Sequence, residues 1–197
     1  ILVFTLLPDS KSSTNSLGIL LILRNNEPFT GMWAIPGGFL DMEESLFECA
    51  ARELAEETAI AEIPLVQGRS YGEPYRDPRG RTVTVTYLAF VPNEKLSHRI
   101  KAGDDAQKAR IFPLTDLPPL AFDHDLLIQE GVQELFQKVM TTKILQPFLP
   151  SSFNENDIFW LVHPLFQVLS LKPSVKLITD HLLVHGIIAK EEEGSVE

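Results

Sequence analysis

The chain has 197 residues, of which 44% are hydrophobic and 22% charged, and its 27 acidic and 17 basic side chains give a formal net charge of −10. This length and composition exclude a disordered chain and two large domains, and they favour one globular core with a small appendage. The negative charge argues against broad binding to nucleic acid or to anionic membranes, but it permits a small anionic partner where cations are concentrated locally.

The longest apolar runs are too short to cross a bilayer. Ile1–Leu7 and Leu17–Leu23 fall far below the roughly 18 residues that a membrane span requires. No basic segment precedes the first run and there is no initiator Met, so we expect a trimmed chain without a targeting peptide. Cys49 is the single cysteine, which excludes an intramolecular disulfide and predicts a reducing, cytoplasmic setting.

The first third of the chain reads as strands separated by loops. Ile1–Leu7 is the first predicted strand, and the polar segment Pro8–Ser16 is a loop. A second strand covers Leu17–Arg24, and Asn25–Gly31 connects it to a short apolar strand that runs into Pro36.

A helix is predicted after the Pro-Gly-Gly segment. Ser45 with Glu48 three residues later has the spacing of a capping box, which marks a helix start. Five side chains recur at three- and four-residue steps and form the predicted buried stripe: Leu46, Phe47, Ala50, Leu54 and Thr58.

The remaining elements favour an α/β or α+β sandwich. Thr82–Val91 alternates and is rich in Val, Thr, Tyr and Phe, so it is a predicted strand, and Lys108–Phe112 is a candidate for another. Leu126–Met140 has the pattern of an amphipathic helix. Strands and helices mixed over about 140 residues fit this class, and periodicity alone leaves the strand order open.

The last 55 residues are predicted to be a separate helical appendage, which divides the chain into domains 1–142 and 143–197. In Ser174–His185, three apolar residues share one face, and Gly186 stands at a C-cap position. Four prolines are expected to divide the appendage into short helical pieces: Pro147, Pro150, Pro164 and Pro173.

Three glutamates crowd one face of the predicted helix. Glu53, Glu56 and Glu57 lie within about 100° of one another around the helix axis, which is unfavourable unless cations sit among them. Such oxygen donors select hard divalent ions, Mg²⁺ first and Mn²⁺ as a substitute. Arg52 is placed to orient Glu53 or to hold it ionised. The alternative is an ordinary solvated helix face.

The full pattern resembles the Nudix box. A match at so many positions argues against an ordinary solvated helix face. Gly38, Glu44, Arg52-Glu53, Glu56-Glu57 and Ile60 stand at the spacing of the box, and one position departs from it because Ala59 replaces a glycine. Four flanking segments resemble the ADP-ribose pyrophosphatase branch: Gly31–Phe39, Tyr75–Arg81, Ala102–Ala106 and Leu120–Asp125.

The resemblance spans roughly Leu17–Ile128 and implies a Nudix-type α/β/α sandwich with a mixed sheet. It also implies a hydrolase that cleaves a nucleoside diphosphate linked to another group. Glu53, Glu56 and Glu57 are then metal ligands together with the backbone carbonyl of Gly37.

In this family Glu44 adds a nearby carboxylate, and Arg52 makes an orienting salt bridge. The general base often lies outside the box, and Asp104 and Asp105 are the candidates here, with a turn of solvated acids as the alternative. Ala59 follows the helix at the position where the family glycine adopts the left-handed conformation. A Cβ in this conformation costs about 1 kcal/mol. We expect hydrolysis to survive this change.

A group of arginines is the predicted binding site for the anionic substrate. Four of the eight arginines in the chain fall within 13 residues: Arg69, Arg76, Arg79 and Arg81. Arginine forks suit phosphate oxygens, although pairing with Glu73 and Asp77 is the alternative. Arg24 resembles a family position close to substrate. Tyr75 and Trp33 are candidates to stack on adenine, and a core role is the alternative.

The histidines and the cysteine receive structural roles. His181 and His185 have the spacing of a metal pair but no evident third ligand, which predicts a helix-surface pair. His124 is interpreted as structural, and Cys49 as a small buried side chain.

The leading hypothesis is a Mg²⁺-dependent cleavage of ADP-ribose to AMP and ribose 5-phosphate. NADH, a dinucleoside polyphosphate, a nucleotide sugar or an oxidised nucleotide are alternative substrates. A different class is an ADP-ribose-sensing transcriptional regulator with a degenerate winged helix, but the tail has four basic against seven acidic residues, so nucleic acid is disfavoured. No membrane contact is expected. A homodimer is expected, with apolar residues of Phe159–Phe166 as candidate contacts.

Overall fold

The computed structural model describes residues 1–8, 15–100, 109–172 and 174–188, without the side chains of residues 98 and 99. Six strands form one mixed sheet: β1 Leu2–Pro8, β2 Asn15–Leu23, β3 Trp33–Ala34, β4 Val66–Tyr71, β5 Thr84–Phe90 and β6 Ala109–Pro113. Five α-helices accompany the described part of the sheet: α1 Leu46–Thr58, α2 Asn93–Ile100, α3 His124–Thr141, α4 Glu155–Val168 and α5 Val175–Val184, with a 3₁₀ turn at Lys143–Phe148.

Strand β2 is the centre of the sheet. It pairs antiparallel with three other strands, β1, β3 and β6. Strand β1 also pairs in parallel with β5, and β5 pairs antiparallel with β4. The one parallel pair makes the sheet mixed, which confirms the expected sheet type.

Alternation along β1 and β2 divides the core into two layers. Leu2, Phe4 and Ile19 belong to a cluster that packs against α3 and the C-terminal helices. Val3 and Leu20 belong to a second cluster with side chains of α1 and α2. Helices therefore cover both faces of the sheet, and the predicted α/β/α sandwich is confirmed.

The predicted strands and the two predicted helices are present, with small changes at their ends. Strand β1 extends to Pro8 and β2 begins at Asn15, so these residues of the predicted Pro8–Ser16 loop belong to strands. Two elements were not predicted. Strand β4 has only one buried residue and therefore shows little alternation, and α2 is a short helix of mostly polar residues.

The predicted stripe of α1 is wrong at its first two residues. Leu46 is 42% and Phe47 is 51% exposed, whereas Ala50, Leu54 and Thr58 are buried as expected. Cys49 is also buried, as predicted. The first turn of α1 does not face the core. Phe47 instead contacts the Tyr87 ring of β5 in a T-shaped arrangement, with ring centroids 6.2 Å apart.

The C-terminal helices share the core of the sheet. Leu165 of α4 and Leu182 of α5 are fully buried in the cluster that contains Phe4 and Ile19. Leu165 is therefore not available for the dimer contacts that we expected of Phe159–Phe166. Division of the chain at residue 142 stays a prediction.

The prolines of this region do not all separate helices. Pro164 lies inside α4 and is buried, so the prediction that it ends a helical piece is wrong. Helix α5 ends as expected, with Gly186 in the left-handed conformation at φ 64°.

Candidate active site

Helix α1 carries the acidic cluster and is held at both ends. At its start the Ser45 hydroxyl accepts from the Glu48 backbone N–H at 3.3 Å, while the Glu48 carboxylate accepts from the Ser45 N–H at 2.8 Å. This is the predicted capping box. At its end Ala59 has φ 58° in the left-handed region, and its N–H donates to the Ala55 carbonyl.

Arg52 is the hub of the acidic cluster. Its guanidinium donates to both oxygens of Glu44, at 2.6 and 3.0 Å. It also donates to Glu53 at 2.7 Å and to Glu56 at 3.2 Å. The hydrogen bonds from Arg52 to Glu44, with the one from the backbone N–H of Asp41, lower the pKa of Glu44 to about 2. Arg52 thereby orients Glu53, as predicted from its position in the sequence.

Glu57 lies on the other side of the cluster. One of its oxygens accepts from the Gly37 backbone N–H at 2.8 Å. Burial raises the pKa of Glu57 to about 7, and the nearby Glu53 charge acts in the same direction. The charge of Arg24 acts in the opposite direction but does not offset the burial, so a cation close to this carboxylate would stabilise its charged form.

The loop before α1 leaves space for these carboxylates. A Cβ at Gly38 would collide with the carboxylate of Glu53. Gly37, with φ 152°, holds the backbone turn from which its N–H reaches Glu57. The two glycines therefore permit the close approach of the loop to the glutamates.

The donor set is compatible with a hard divalent cation. Glu53, Glu56 and Glu57 all line one cleft and offer carboxylate oxygens. Among the residues that the structure describes, no three His, Cys, Asp or Glu side chains already stand in a metal-binding arrangement. Glu53 and Glu56 each contact Arg52 through one carboxylate oxygen, and a carboxylate can bind a cation through its other oxygen without losing this partner.

The cleft has a volume of about 1000 Å³, which accommodates a nucleotide. One wall is the glycine loop and the glutamate face of α1. The other walls include Arg24, the arginine segment, Phe122 and His124. The acidic cluster thus meets Arg24, Arg76, Arg79 and Arg81 in one cavity. Arg69, which was predicted with them, is not among the lining residues and donates to Glu130 at 3.0 Å.

Two of the predicted arginines that line the cleft are paired with carboxylates. Arg76, whose side chain is 7% exposed, donates to both oxygens of Asp123 at 2.8 and 3.0 Å. Arg79 donates to Asp77 at 2.7 Å, which is the alternative pairing considered from the sequence. Both guanidiniums reach the cleft wall with their charge largely balanced.

Two arginines that line the cleft have no carboxylate partner among the described residues. Arg24 donates to the carbonyls of Pro28, at 3.0 Å, and Asn26, at 3.3 Å, and its guanidinium lies 4.7 Å from the centre of the Phe122 ring. Burial lowers its pKa, and the charge of Arg79 adds to the effect. Arg81 donates to the Gly72 carbonyl. These two charges are the least neutralised in the cleft.

The aromatic side chains near the cleft differ from those predicted. Tyr75 is 96% exposed, with φ 66°, and is not among the residues that line the cleft. Trp33 packs on Phe112 with ring centroids 4.6 Å apart, so its core role is confirmed. Phe39 and Phe122 line the cleft instead, 5.0 and 5.2 Å from the Arg79 guanidinium. They lie in two of the segments that resemble the ADP-ribose pyrophosphatase branch, but no sequence pattern distinguishes them from core aromatic residues.

His124 was assigned a structural role, and it has one. Its Nδ1 accepts from the Ile35 backbone N–H at 3.0 Å, and burial lowers its pKa to about 3. Its position in the cleft was not foreseen, because β3 and α3 are far apart in sequence. The Asp104 and Asp105 predictions lie outside the described residues.

The histidine pair of α5 stays a surface feature. His181 and His185 have ring centroids 4.3 Å apart, and Nε2 of His181 is 2.9 Å from the Met140 carbonyl. This contact uses the ring nitrogen in packing α5 against the end of α3.

Residues 3–131 match the NUDIX domain family. The chain belongs to this family. The match covers the sheet, α1 and the start of α3, and it confirms the resemblance found from the box residues. In the described part of this NUDIX protein, no helix is both long and apolar enough to cross a membrane.

Similar proteins include one named as an enzyme and one named as a transcriptional repressor. The "ADP-ribose pyrophosphatase" of Methanocaldococcus jannaschii is 43% identical over 114 residues, 57% of this chain and 64% of that protein, so the chain spans less than two thirds of its length. The "ADPR responsive transcriptional repressor NtrR" of Acinetobacter baylyi is 36% identical over 185 residues, 92% of this chain and 68% of that protein.

The solved structures of Shewanella oneidensis NrtR extend the second likeness to three dimensions. The protein in complex with a 27mer DNA has a TM-score of 0.70 at 30% identity, covering 91% of this chain and 80% of that one. Its NUDIX domain in complex with ADP ribose has a TM-score of 0.55 at 36% identity, covering 68% and 84%. The similarity therefore includes the C-terminal helices.

Proposed function

We propose that the protein hydrolyses the pyrophosphate of ADP-ribose, releasing AMP and ribose 5-phosphate, with Mg²⁺ as the preferred metal and Mn²⁺ as a substitute. The observation that carries the proposal is the Arg52 network, which orients Glu53 while the three glutamates line a cleft of nucleotide size. Similarity to a protein named ADP-ribose pyrophosphatase supports the choice of substrate.

We assign the metal to Glu53, Glu56 and Glu57, with the Gly37 carbonyl as a further ligand. The buried carboxyl of Glu57, with its raised pKa, supports this assignment because a cation would offset its unfavourable charge. When bound, such an ion neutralises phosphate charge and activates a water molecule.

We assign substrate binding to Arg24, Arg76, Arg79, Arg81 and Tyr75. Arg24 and Arg81 are the foremost phosphate ligands in this proposal, because no carboxylate in the described residues neutralises them. Arg76 and Arg79 shape the wall of the cleft through their carboxylate pairs. The exposed ring of Tyr75 reaches substrate in this proposal only if its segment moves.

We assign a positioning role and a proton transfer to three further acids. Glu44 keeps the fork of Arg52 turned towards Glu53. Asp104 or Asp105 serves as the general base that takes a proton from the attacking water.

The test is a substrate panel of ADP-ribose, NADH and a dinucleoside polyphosphate with Mg²⁺, in which release of AMP is measured. We expect ADP-ribose to be cleaved fastest, and Glu57→Gln to fold normally and lose roughly 100-fold or more of the turnover. Glu43→Gln is the matched control, because Glu43 is an exposed acid of the loop before α1 and does not line the cleft. A folded wild-type protein that releases no AMP from any of these substrates would overturn the proposal.

A second candidate is an ADP-ribose-responsive transcriptional regulator. It is favoured by the similarity to regulators across the C-terminal helices. The outward face of α5 speaks against DNA contact, because its exposed residues are Lys176, Leu177, Asp180 and Val184, with one base and one acid.

Salt-dependent and sequence-specific binding of duplex DNA by the intact chain, altered by ADP-ribose, would establish the regulator. Sedimentation of the same sample would test the homodimer that we propose. The cytoplasmic setting predicted from Cys49 also stays a proposal.

A further inference from the structure

The tautomer of His124 is determined by its backbone contact. Nδ1 lies 3.0 Å from the Ile35 backbone nitrogen, which can only donate, so Nδ1 is the acceptor and carries no proton. Burial lowers the pKa of the ring to about 3, so the imidazole is neutral near pH 7. A neutral ring with an unprotonated Nδ1 carries its proton on Nε2.

The Nε2–H of His124 has no acceptor among the residues that the structure describes. The ring lines the cleft, and Phe122 lies beside it with ring centroids 5.4 Å apart. The Ile35 contact and the Phe122 ring restrict rotation of the imidazole. His124 is therefore a fixed donor, available to a molecule that enters the cleft.

The surroundings of His124 indicate what this donor meets. The charges of Arg76 and Arg24 both act on the ring, so the local potential favours an anion. The Ile35 that holds the ring is two residues before Gly37, whose N–H binds Glu57. The donor thus belongs to the part of the cleft whose lining includes both the glutamates and the arginines.

We infer that His124 binds substrate directly, donating its Nε2–H to an oxygen of the diphosphate. This inference rests on the proposed function, since it assumes a nucleoside diphosphate in the cleft. The role is one of binding: the ring neither gives up nor takes a proton, so its contribution does not change between about pH 6 and pH 9.

Two amide variants separate the two nitrogens. His124→Asn places an amide oxygen near the position of Nδ1 and keeps the acceptor for Ile35, but it removes the donor. His124→Gln places an amide nitrogen near the position of Nε2 and loses the contact with Ile35. His185→Asn, at an exposed position, is the matched control.

Affinity for ADP-ribose is measured by calorimetry in EDTA, kcat/KM is measured with Mg²⁺, and affinity for adenosine is measured by NMR. We expect His124→Asn to lose about ten- to hundredfold in ADP-ribose affinity and in kcat/KM at every pH from 6 to 9, with wild-type melting temperature at pH 8 and unchanged adenosine binding. His124→Gln should melt lower and keep most of the affinity.

Unchanged ADP-ribose affinity and kcat/KM in His124→Asn would overturn the inference while leaving the proposed function intact. An equal loss for adenosine would overturn the assignment to the diphosphate. A wild-type protein that neither binds nor cleaves ADP-ribose would overturn the proposed function, and the inference would fall with it.

Discussion

At the level of single residues, the fork of Arg52 accounts for the geometry of the acidic cluster. One planar guanidinium reaches both oxygens of Glu44 and one oxygen of Glu53, which a single ammonium group cannot do. The charge of residue 52 and its shape therefore make separable contributions.

Arg52→Lys keeps the charge and removes the fork. We expect turnover of ADP-ribose to fall about 10- to 100-fold, because Glu53 is no longer held in position, while the fold by circular dichroism stays intact. Arg69→Lys is the control, since Arg69 is half-exposed and pairs only with Glu130. Equal turnover in Arg52→Lys and wild type would show that charge alone suffices.

His124 makes the stability of the protein depend on pH. Its pKa is about 3 in the folded chain and about 6.5 when unfolded, so between these values the unfolded state binds more protons. Stability from this group is complete above about pH 6.5 and is lost as the pH falls.

We expect the wild type to lose about 2 kcal/mol more than His124→Asn in the free energy of unfolding between pH 6.5 and 5, because each pH unit contributes about 1.4 kcal/mol. Urea unfolding of both proteins at each pH measures the difference. Parallel profiles would mean that His124 is accessible to protons in the folded state.

At the level of elements, local sequence signals determine the ends of α1, and tertiary contacts determine which of its side chains are buried. The capping box at Ser45 and the left-handed residue Ala59 define its ends, and both were predictable because they depend on neighbouring residues alone. The exposure of Leu46 and Phe47 was not, because it depends on how far the sheet extends beneath the first turn.

Ala59→Gly tests the cost of the left-handed cap. At φ 58° a Cβ is unfavourable, so we expect the free energy of unfolding to rise by about 1 kcal/mol. Turnover should change less than a few-fold, since the residue follows the helix that carries the proposed metal ligands. Denaturant unfolding and the AMP assay measure the two effects. A hundredfold gain in turnover would contradict the interpretation of Ala59 as a matter of stability only.

At the level of the whole molecule, the C-terminal helices and the sheet form one buried cluster. Leu165 and Leu182 are fully buried in it together with Phe4. Such a shared core makes the helices part of one cooperative unit with the sheet.

Leu165→Ala should therefore lower the stability of the entire chain by about 2–5 kcal/mol, with one unfolding transition. Leu177→Ala is the matched control, because Leu177 is 75% exposed and the same truncation should cost less than about 0.5 kcal/mol. Fluorescence and circular dichroism transitions that separate in Leu165→Ala would instead indicate an independent appendage, as the sequence alone predicted.

The net charge of −10 is concentrated in the helix and loop of the acidic cluster. Gly38–Ile60 contains seven acids and one base, and Glu53, Glu56 and Glu57 of this segment line the cleft. In the proposed function this charge attracts divalent cations, which make the cleft attractive to phosphate.

The sequence by itself determined the family, the helix that carries Glu53, Glu56 and Glu57, and the link from Arg52 to Glu53, because these depend on spacing along one helix. Only the tertiary structure decided which arginines stay without a carboxylate partner, that Phe122 and His124 reach the cleft, and that α4 and α5 complete the core. These features join segments far apart in the chain, and no local period records which distant side chains will meet.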